Sequence, residues 1–260
     1  GSSWNRTKAR VKRSLREMAG ELLALYAARQ LARAPAMAEE TDLERQFAAA
    51  FPFEETADQL EAIAAILGDL ERETPMDRLL CGDVGFGKTE VALRAAFRAV
   101  AAGWQVVVLA PTTILADQHL ERFRERFDGF PVRVEMISRF RSAAEVREVR
   151  ERLAAGKVDI LVGTHRLLSR DVAIPRLGLV IVDEEQRFGV AQKERLKQLK
   201  QNVHVLAMTA TPLPRTLQMS LAGVRDLSVI ETAPKDRLAV ETAILPLSDE
   251  LVREAIEAEL

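Results

Sequence analysis

Short apolar runs alternate with helix-length segments along most of the chain. From Met76 onward these runs are MDRLLCG, QVVVLAP, VRVEMIS, VDILVGT, LGLVIVDE and NVHVLAMTA. Apolar runs of this length are typical of strands that are buried on both faces of a parallel sheet. Between them, residues 89–102, 113–127 and 142–155 have the length of helices. The alternation predicts an α/β fold in which helices wrap a doubly wound, mainly parallel sheet.

The two ends of the chain have other patterns. Within residues 1–34, apolar residues step by four and three along one helical face, and basic residues lie mostly around them; the stripe consists of Val11, Leu15, Met18, Leu22 and Leu25. This predicts a long basic amphipathic helix, which either packs on its own domain or connects to a preceding one. We expect a linker and a short helix in residues 35–50. Residues 247–260 are helical in character and stop without a cap, as if truncated.

Composition narrows the class of protein. The 260 residues are 48% hydrophobic and 29% charged, which is enough for a core that needs no disulfide or metal. A single cysteine, Cys81, excludes a disulfide framework and a cysteine-based zinc site. The apolar runs fall well short of the roughly 20 residues of a membrane helix, and no signal-peptide pattern is present. We therefore expect a cytoplasmic protein with no membrane partner.

A phosphate-binding loop is the strongest chemical signal. Residues 82–89, GDVGFGKT, match GxxxxGK[ST], follow the run RLLC and open a helix. Glycines let the backbone curl so that its N–H groups point at phosphate oxygens, and the helix adds the positive end of its dipole. We expect Lys88 to reach the β- and γ-phosphates and the Thr89 hydroxyl to bind Mg²⁺. The predicted nucleotide-binding residues of this loop are Gly82, Asp83, Val84, Gly85, Phe86, Gly87, Lys88 and Thr89.

Two carboxylates at the end of the run LGLVIVDEE are the second signal. An acid at the carboxyl end of a parallel strand lies on the ligand-binding edge of the sheet. We expect Asp183 to hold Mg²⁺ through water and Glu184 to act as the general base. The alternative, solvated loop acids, is disfavoured because apolar residues immediately precede the pair. The predicted catalytic residues are therefore Lys88, Asp183 and Glu184.

Several motifs together resemble a known superfamily. GDVGFGKT, APTTILADQH, GTHRL, VDEEQRFG and TATPLPRT occur in the order of motifs I, Ia, Ib, II and III of superfamily 2 helicases and translocases. FPFEETADQ, EMISRFRSA and RDLSVIETAP further resemble the bacterial DNA translocases that couple transcription to DNA repair. The RecG branch-migration helicases share GDVG-GKT and the RFG after motif II. The resemblance covers about residues 50–246 and implies a RecA-like P-loop NTPase fold, with residues 51–246 as a first motor lobe.

The resemblance also implies roles for single residues. Gln59 resembles the glutamine that reads adenine, with Phe53 helping to hold the base; a polar position on a helix surface is the alternative for Gln59. Gln186, Thr209 and Thr211 resemble residues that couple hydrolysis to movement between lobes. The implied contacts to DNA phosphates are Thr112, Thr113, Thr164, His165 and Arg166. Ordinary helix N-capping explains the two adjacent threonines equally well, and a satisfied loop histidine explains the histidine.

For the whole protein, the resemblance implies a monomeric bacterial translocase that uses ATP and Mg²⁺. It implies binding to the phosphate backbone of double-stranded DNA, displacement of stalled RNA polymerase and recruitment of nucleotide excision repair proteins, the last two through domains mostly absent here. Such proteins complete the ATP site with arginines of a second lobe, and no such motifs follow Pro246. We therefore expect weak turnover by this chain alone. A RecG-like lobe and a nucleotide-gated binding module stay open as alternatives.

Overall fold

The computed structural model describes Ala27 and residues 31–37, 41–138, 140–169, 172–199, 202–210, 225–235, 246 and 248–259. Across these residues the strands form one sheet. They are β1 (Asp77–Gly82), β2 (Gln105–Leu109), β3 (Val134–Ile137), β4 (Ile160–Gly163), β5 (Leu177–Asp183), β6 (His204–Thr209) and β7 (Asp226–Ile230).

Helices precede the first strand, lie between later strands and end the described chain. They are α1 (Asp42–Ala49), α2 (Ala57–Leu70), α3 (Lys88–Ala101), α4 (Thr113–Arg126), α5 (Ala143–Ala154), α6 (Val190–Leu199) and α7 (Asp249–Glu259). Two single 3₁₀ turns, His165–Leu168 and Glu185–Arg187, follow β4 and β5. Capping boxes start three of the helices, with Thr41, Thr56 and Ser142 as N-caps.

The strand order is β3-β4-β2-β5-β6-β1-β7, and every neighbouring pair is parallel. All carboxyl ends therefore meet at one edge of the sheet. That edge carries the loop after β1, the acids at the end of β5 and the start of α4. The parallel topology therefore brings the predicted motifs together although they are far apart in the sequence.

Both faces of the sheet are buried, which explains the continuous apolar runs. In β2, Val106 and Val108 pack into one core and Val107 and Leu109 into the other. The first core is covered by α1 to α4, whose contributions include Phe47, Ile66, Phe97 and Phe123. The second is covered by α5 and α6, whose contributions include Val149, Leu153 and Leu196.

The predicted fold class is confirmed, and a strand occupies each of the six predicted runs. The edge strand β7 was not predicted, because DLSVI mixes polar and apolar residues and is mostly half-buried. The long N-terminal helix predicted for residues 1–34 lies outside the described residues, apart from Ala27 and residues 31–34. None of the described helices has both the length and the apolar character needed to cross a membrane.

Candidate nucleotide and nucleic-acid site

The phosphate-binding loop joins β1 to α3 with two residues in the left-handed region. Gly85 and Gly87 have φ of 81° and 80°, and Gly87 is the N-cap of α3 without a capping side chain. A Cβ added to Gly87 would collide with the amide of Gln59. Glycine is therefore required at this position for its conformation and for its close contact with a second element.

Lys88 folds back over the loop that carries it. Its ammonium donates to the carbonyl oxygens of Gly82 at 2.6 Å and Asp83 at 2.9 Å. Burial lowers the pKa of Lys88 below its ordinary value, while Asp183 and Glu184 oppose that change. The cation is thus held at the mouth of the loop, within the field of the acids that follow β5.

Gln59 connects α2 to this loop. Its Oε1 accepts from the backbone N–H of Thr56 at 3.0 Å, and its Nε2 donates to the carbonyl of Phe86 at 2.9 Å. Gln59 is only 4% exposed, so the interpretation as a polar residue on a helix surface is wrong. One amide hydrogen of Nε2 is left over from these two bonds for a ligand.

An open cleft of about 360 Å³ lies beside this amide. Phe53 is 56% exposed there and meets Phe51 edge-on, with ring centroids 5.6 Å apart. The remaining lining residues are Glu54, Gln59, Gly85, Gly87, Glu90 and Pro234. Aromatic faces next to a buried amide and the phosphate loop suit a flat heterocyclic base.

Asp183 ends β5 with its carboxylate partly buried. The Nε2 atom of His119, from α4, lies 2.9 Å from Asp183 Oδ2. The sequence pattern gave no sign of this contact, because the two residues are far apart in the chain and His119 matches no spacing of metal ligands. His119 reaches the end of β5 because β2, which precedes its helix, is the neighbour of β5 in the sheet.

Glu184 has a left-handed backbone, with φ 51° and ψ 52°. Its N–H donates to the carbonyl of Met208 at 2.9 Å, and its Oε1 accepts from the N–H of Ala210 at 2.8 Å. Gln186 donates to the other carboxylate oxygen. A non-glycine residue in this region is strained, and these bonds to β6 and its following loop hold it there.

Two of the three predicted coupling residues, Gln186 and Thr209, are in contact. The amide of Gln186 also donates to the hydroxyl of Thr209 at 3.2 Å, so one side chain joins the acids after β5 to the end of β6. Thr211 lies outside the described residues. Sequence reasoning missed Arg225, which lies 2.8 Å from both Glu185 and Asp77 and ties the turn after β5 to β1.

The donor set of this edge fits magnesium. Among the described residues, no group of three or more His, Cys, Asp and Glu side chains is arranged to hold a metal. The Asp183 carboxylate and the Thr89 hydroxyl are hard oxygen donors at this edge, and Thr89 is half-buried in the first turn of α3. Magnesium at nucleotide sites is typically held by one or two such protein groups plus phosphate oxygens.

The predicted DNA contacts follow β2 and β4, which are neighbours in the sheet. Thr112 is the N-cap of α4 and accepts from the N–H of Leu115 at 3.2 Å, so the capping role is real. Thr113 is the first residue of α4. His165 and Arg166 are exposed in the turn after β4.

A groove of about 470 Å³ runs along this turn. It brings Thr164, His165 and Arg166 together with three residues that the sequence did not indicate, Ser169, Gln192 and Arg195. Hydroxyl, amide and guanidinium groups of this kind are common contacts to nucleic-acid phosphates.

Transcription-repair-coupling factors are among the known proteins of similar sequence. Over all 260 residues the chain is 55% identical to the transcription-repair-coupling factor of Bacillus subtilis strain 168 and 56% identical to that of Staphylococcus haemolyticus. It spans about a fifth of their length, 22% of each. The resemblance inferred from the motifs is therefore confirmed.

The fold has solved counterparts. RecG bound to a three-way DNA junction matches with a TM-score of 0.74 and 33% identity over 91% of this chain and 32% of that chain. A DEAD box protein from Methanococcus jannaschii matches in fold alone, with a TM-score of 0.55 and 19% identity over 75% of this chain and 54% of that chain. The family model for the DEAD/DEAH box helicases matches residues 56–220, so the chain belongs to that helicase family.

Proposed function

We propose that this chain is the ATP-binding motor lobe of a double-stranded-DNA translocase that couples transcription to DNA repair. The main observation behind the proposal is that Lys88, the Asp183–Glu184 pair and Thr209 lie together at one edge of the sheet. A separate polar groove opens after β4, the neighbour of β2, along the same edge. A motor lobe needs both sites, with rigid elements between them.

In this proposal the loop after β1 binds the triphosphate. The N–H groups of residues 82–89 and the Lys88 ammonium hold phosphate oxygens, and the left-handed glycines bring the backbone close to them. The base lies in the cleft beside Phe53 and the free amide hydrogen of Gln59. Mg²⁺, when bound by Asp183 and Thr89, neutralises charge on the phosphates.

Glu184 is the proposed general base. Its carboxylate is fixed by the Ala210 N–H and the Gln186 amide, so it can accept a proton from a water at a defined position. The same two bonds join it to the end of β6. Movement of the segment after β6 would therefore displace the base, which is how hydrolysis and motion can be coupled.

DNA binding is proposed for the start of α4 and the groove after β4. The N–H groups at the start of α4 and the exposed His165 and Arg166 are suited to phosphates and read no base sequence. The binding should therefore be sequence-independent and should weaken as salt rises. That the structural relative RecG is described as bound to a three-way DNA junction supports this assignment.

Displacement of RNA polymerase and recruitment of excision repair are proposed for the longer protein, because the relatives at 55–56% identity are named transcription-repair-coupling factors. A lobe of a RecG-like branch-migration helicase is the second candidate, on the strength of the fold match at 33% identity. Measuring turnover of the full-length protein on a stalled transcription complex and on a branched junction separates the two.

Lys88→Ala tests the nucleotide site directly. We expect it to abolish the rise in Tm that ATP or ADP gives the wild-type chain, because the counter-charge to the phosphates is gone. Arg253→Ala, in an exposed ion pair of α7, is the control and should keep the full rise. A Lys88→Ala chain stabilised by nucleotide as strongly as wild type would overturn the assignment.

A further inference from the structure

His119 is buried directly beside the acid that is proposed to serve magnesium. Its side chain is 9% exposed, and its Nε2 lies 2.9 Å from Asp183 Oδ2. An ionised carboxylate can only accept a hydrogen bond, so Nε2 carries the hydrogen and donates it. The bond therefore fixes which ring nitrogen is protonated when the imidazole is neutral.

The other ring nitrogen has no comparable partner. Nδ1 is buried and lacks a hydrogen-bond partner among the described residues. On the same helix, the Phe123 ring meets the imidazole edge-on, at 6.4 Å between centroids. A buried acceptor without a partner costs free energy, and an apolar side chain of similar size would avoid that cost. What a histidine adds at this position, and an apolar residue could not, is the hydrogen bond to Asp183.

That contact orients the carboxylate. It occupies Oδ2 and restrains rotation of the Asp183 side chain at the end of β5, so Oδ1 is the carboxylate oxygen that this contact leaves for a ligand. Groups that hold a metal ligand from outside the coordination shell commonly set both its direction and the metal affinity. The metal-binding acid is thus positioned by a helix from another part of the chain.

The helix that carries His119 begins in the proposed DNA site. α4 starts at Thr113, with Thr112 as its N-cap. Six residues of helix place His119 about 9 Å further along the axis. One rigid element therefore runs from the proposed phosphate contact to the carboxylate.

We propose that His119 is a positioning residue for Asp183, and that through it α4 links phosphate binding at its start to magnesium–nucleotide binding. The proposal rests on the proposed function, which gives Asp183 its magnesium and α4 its phosphate. Such a link is reciprocal, so DNA and magnesium–nucleotide should each strengthen the binding of the other.

Two variants of this residue separate positioning from packing. His119→Leu removes the donor and keeps an apolar body, whereas His119→Gln retains an N–H donor. Binding of a fluorescent ADP to this chain is measured in Mg²⁺ and in EDTA. His119→Leu should weaken binding about tenfold in Mg²⁺ and leave it unchanged in EDTA, and His119→Gln should stay within about threefold of wild type. Gln118→Leu, exposed on the same helix, is the control.

Each outcome of the ADP-binding experiment supports or overturns the positioning role of His119. A loss by His119→Leu that is equal in Mg²⁺ and EDTA reports general damage and overturns the positioning role, as does wild-type binding by that variant. A wild-type chain that binds ADP equally in Mg²⁺ and EDTA refutes the magnesium role of the edge, and the proposed function fails at that point.

The link through α4 is tested in the full-length protein. In Mg²⁺, duplex DNA should tighten the binding of fluorescent ADP to wild type and His119→Gln, and this gain should be reduced about tenfold in His119→Leu. An undiminished gain in His119→Leu would show that α4 does not carry the link, and would overturn that part of the proposal.

Discussion

At the scale of single residues, the site depends on a left-handed backbone conformation that most side chains avoid, as Glu184 and Gly87 illustrate. Glu184 is left-handed although it has a Cβ, and Gly87 is left-handed at a position where a Cβ would also collide with Gln59. The first is held by hydrogen bonds to the neighbouring strand, and the second relies on the absence of a side chain. The Glu184 carboxylate and the ammonium of Lys88, which follows Gly87, thereby lie at the carboxyl edge of the sheet.

Gly87→Ala should therefore weaken nucleotide binding at least tenfold. The new Cβ must displace the Gln59 amide, which in turn holds the carbonyl of Phe86. The left-handed conformation itself costs about 1–2 kcal/mol for alanine. Calorimetric titration with ADP gives the affinity, and urea unfolding gives the stability.

Gly103→Ala is the matched control. Gly103 also has positive φ, at 83°, but nothing lies within 4 Å of an added Cβ. It should lose stability by a similar amount and keep wild-type nucleotide affinity. If both variants bound ADP equally well, the contact between Gly87 and Gln59 would have no role in the site.

Residues within one short motif could be predicted from the pattern of the chain, whereas most contacts between distant residues could not. The loop of residues 82–89 and the pair of acids at the end of β5 are each a continuous stretch of sequence, so the residue pattern alone identifies them. His119 with Asp183, Gln59 with Phe86 and Arg225 with Glu185 each join elements that are remote in sequence. Their pairing follows from strand order, which the apolar pattern leaves undetermined.

At the scale of elements, buried charges join α1, α3 and α4. Glu90, on α3, binds Arg94 at 2.6 Å and Arg126 at 2.9 Å, and all three side chains are mostly buried. The Arg126 guanidinium also lies over the Phe47 ring, 3.9 Å from its centroid. Glu90, bound between two arginines, thus helps to hold the helices beneath the nucleotide cleft.

Glu90→Ala should destabilise the chain by about 3 kcal/mol, because two guanidinium groups lose their shared buried counter-ion. Denaturant unfolding measures this change. Glu257→Ala, which breaks an exposed pair with Arg253, should change stability by less than about 0.5 kcal/mol. Equal effects from the two variants would show that the buried network is not what holds these helices.

The chain leaving β7 is tied back to α2 beside the base cleft. Asp58 accepts from the N–H groups of Glu231 at 2.9 Å and Thr232 at 2.7 Å. A side-chain hydrogen bond with Thr232 and these backbone bonds hold the pKa of Asp58 below its ordinary value. Since the pKa is lowered on folding, the contact is complete at neutral pH and is lost as pH falls through the lowered pKa.

Asp58→Ala should speed hydrogen exchange of the Glu231 and Thr232 amides about fivefold at neutral pH. Glu61→Ala, exposed on the same helix, should leave both amides unchanged. Unaltered exchange in Asp58→Ala would mean that the carboxylate does not hold this segment.

At the scale of the whole molecule, the strand order places two sites on one edge. β1, β6 and β5 end at the nucleotide residues, and β2 and β4 end at the proposed DNA residues. β2 and β5 are adjacent, so the sites share a boundary that α4 crosses. The alternation of runs and helices predicted the layered fold, but the edge strand β7 has too mixed a pattern to be found that way.

ATP turnover with and without duplex DNA tests the central claim most directly. It should be measured on the full-length protein, on its Glu184→Gln variant and on this chain alone. We predict DNA-stimulated turnover by the full-length protein, near-background turnover by Glu184→Gln with nucleotide binding kept, and weak turnover by this chain. Turnover by the full-length protein that ignores DNA, or that survives in Glu184→Gln, would contradict the account of a DNA-driven motor lobe.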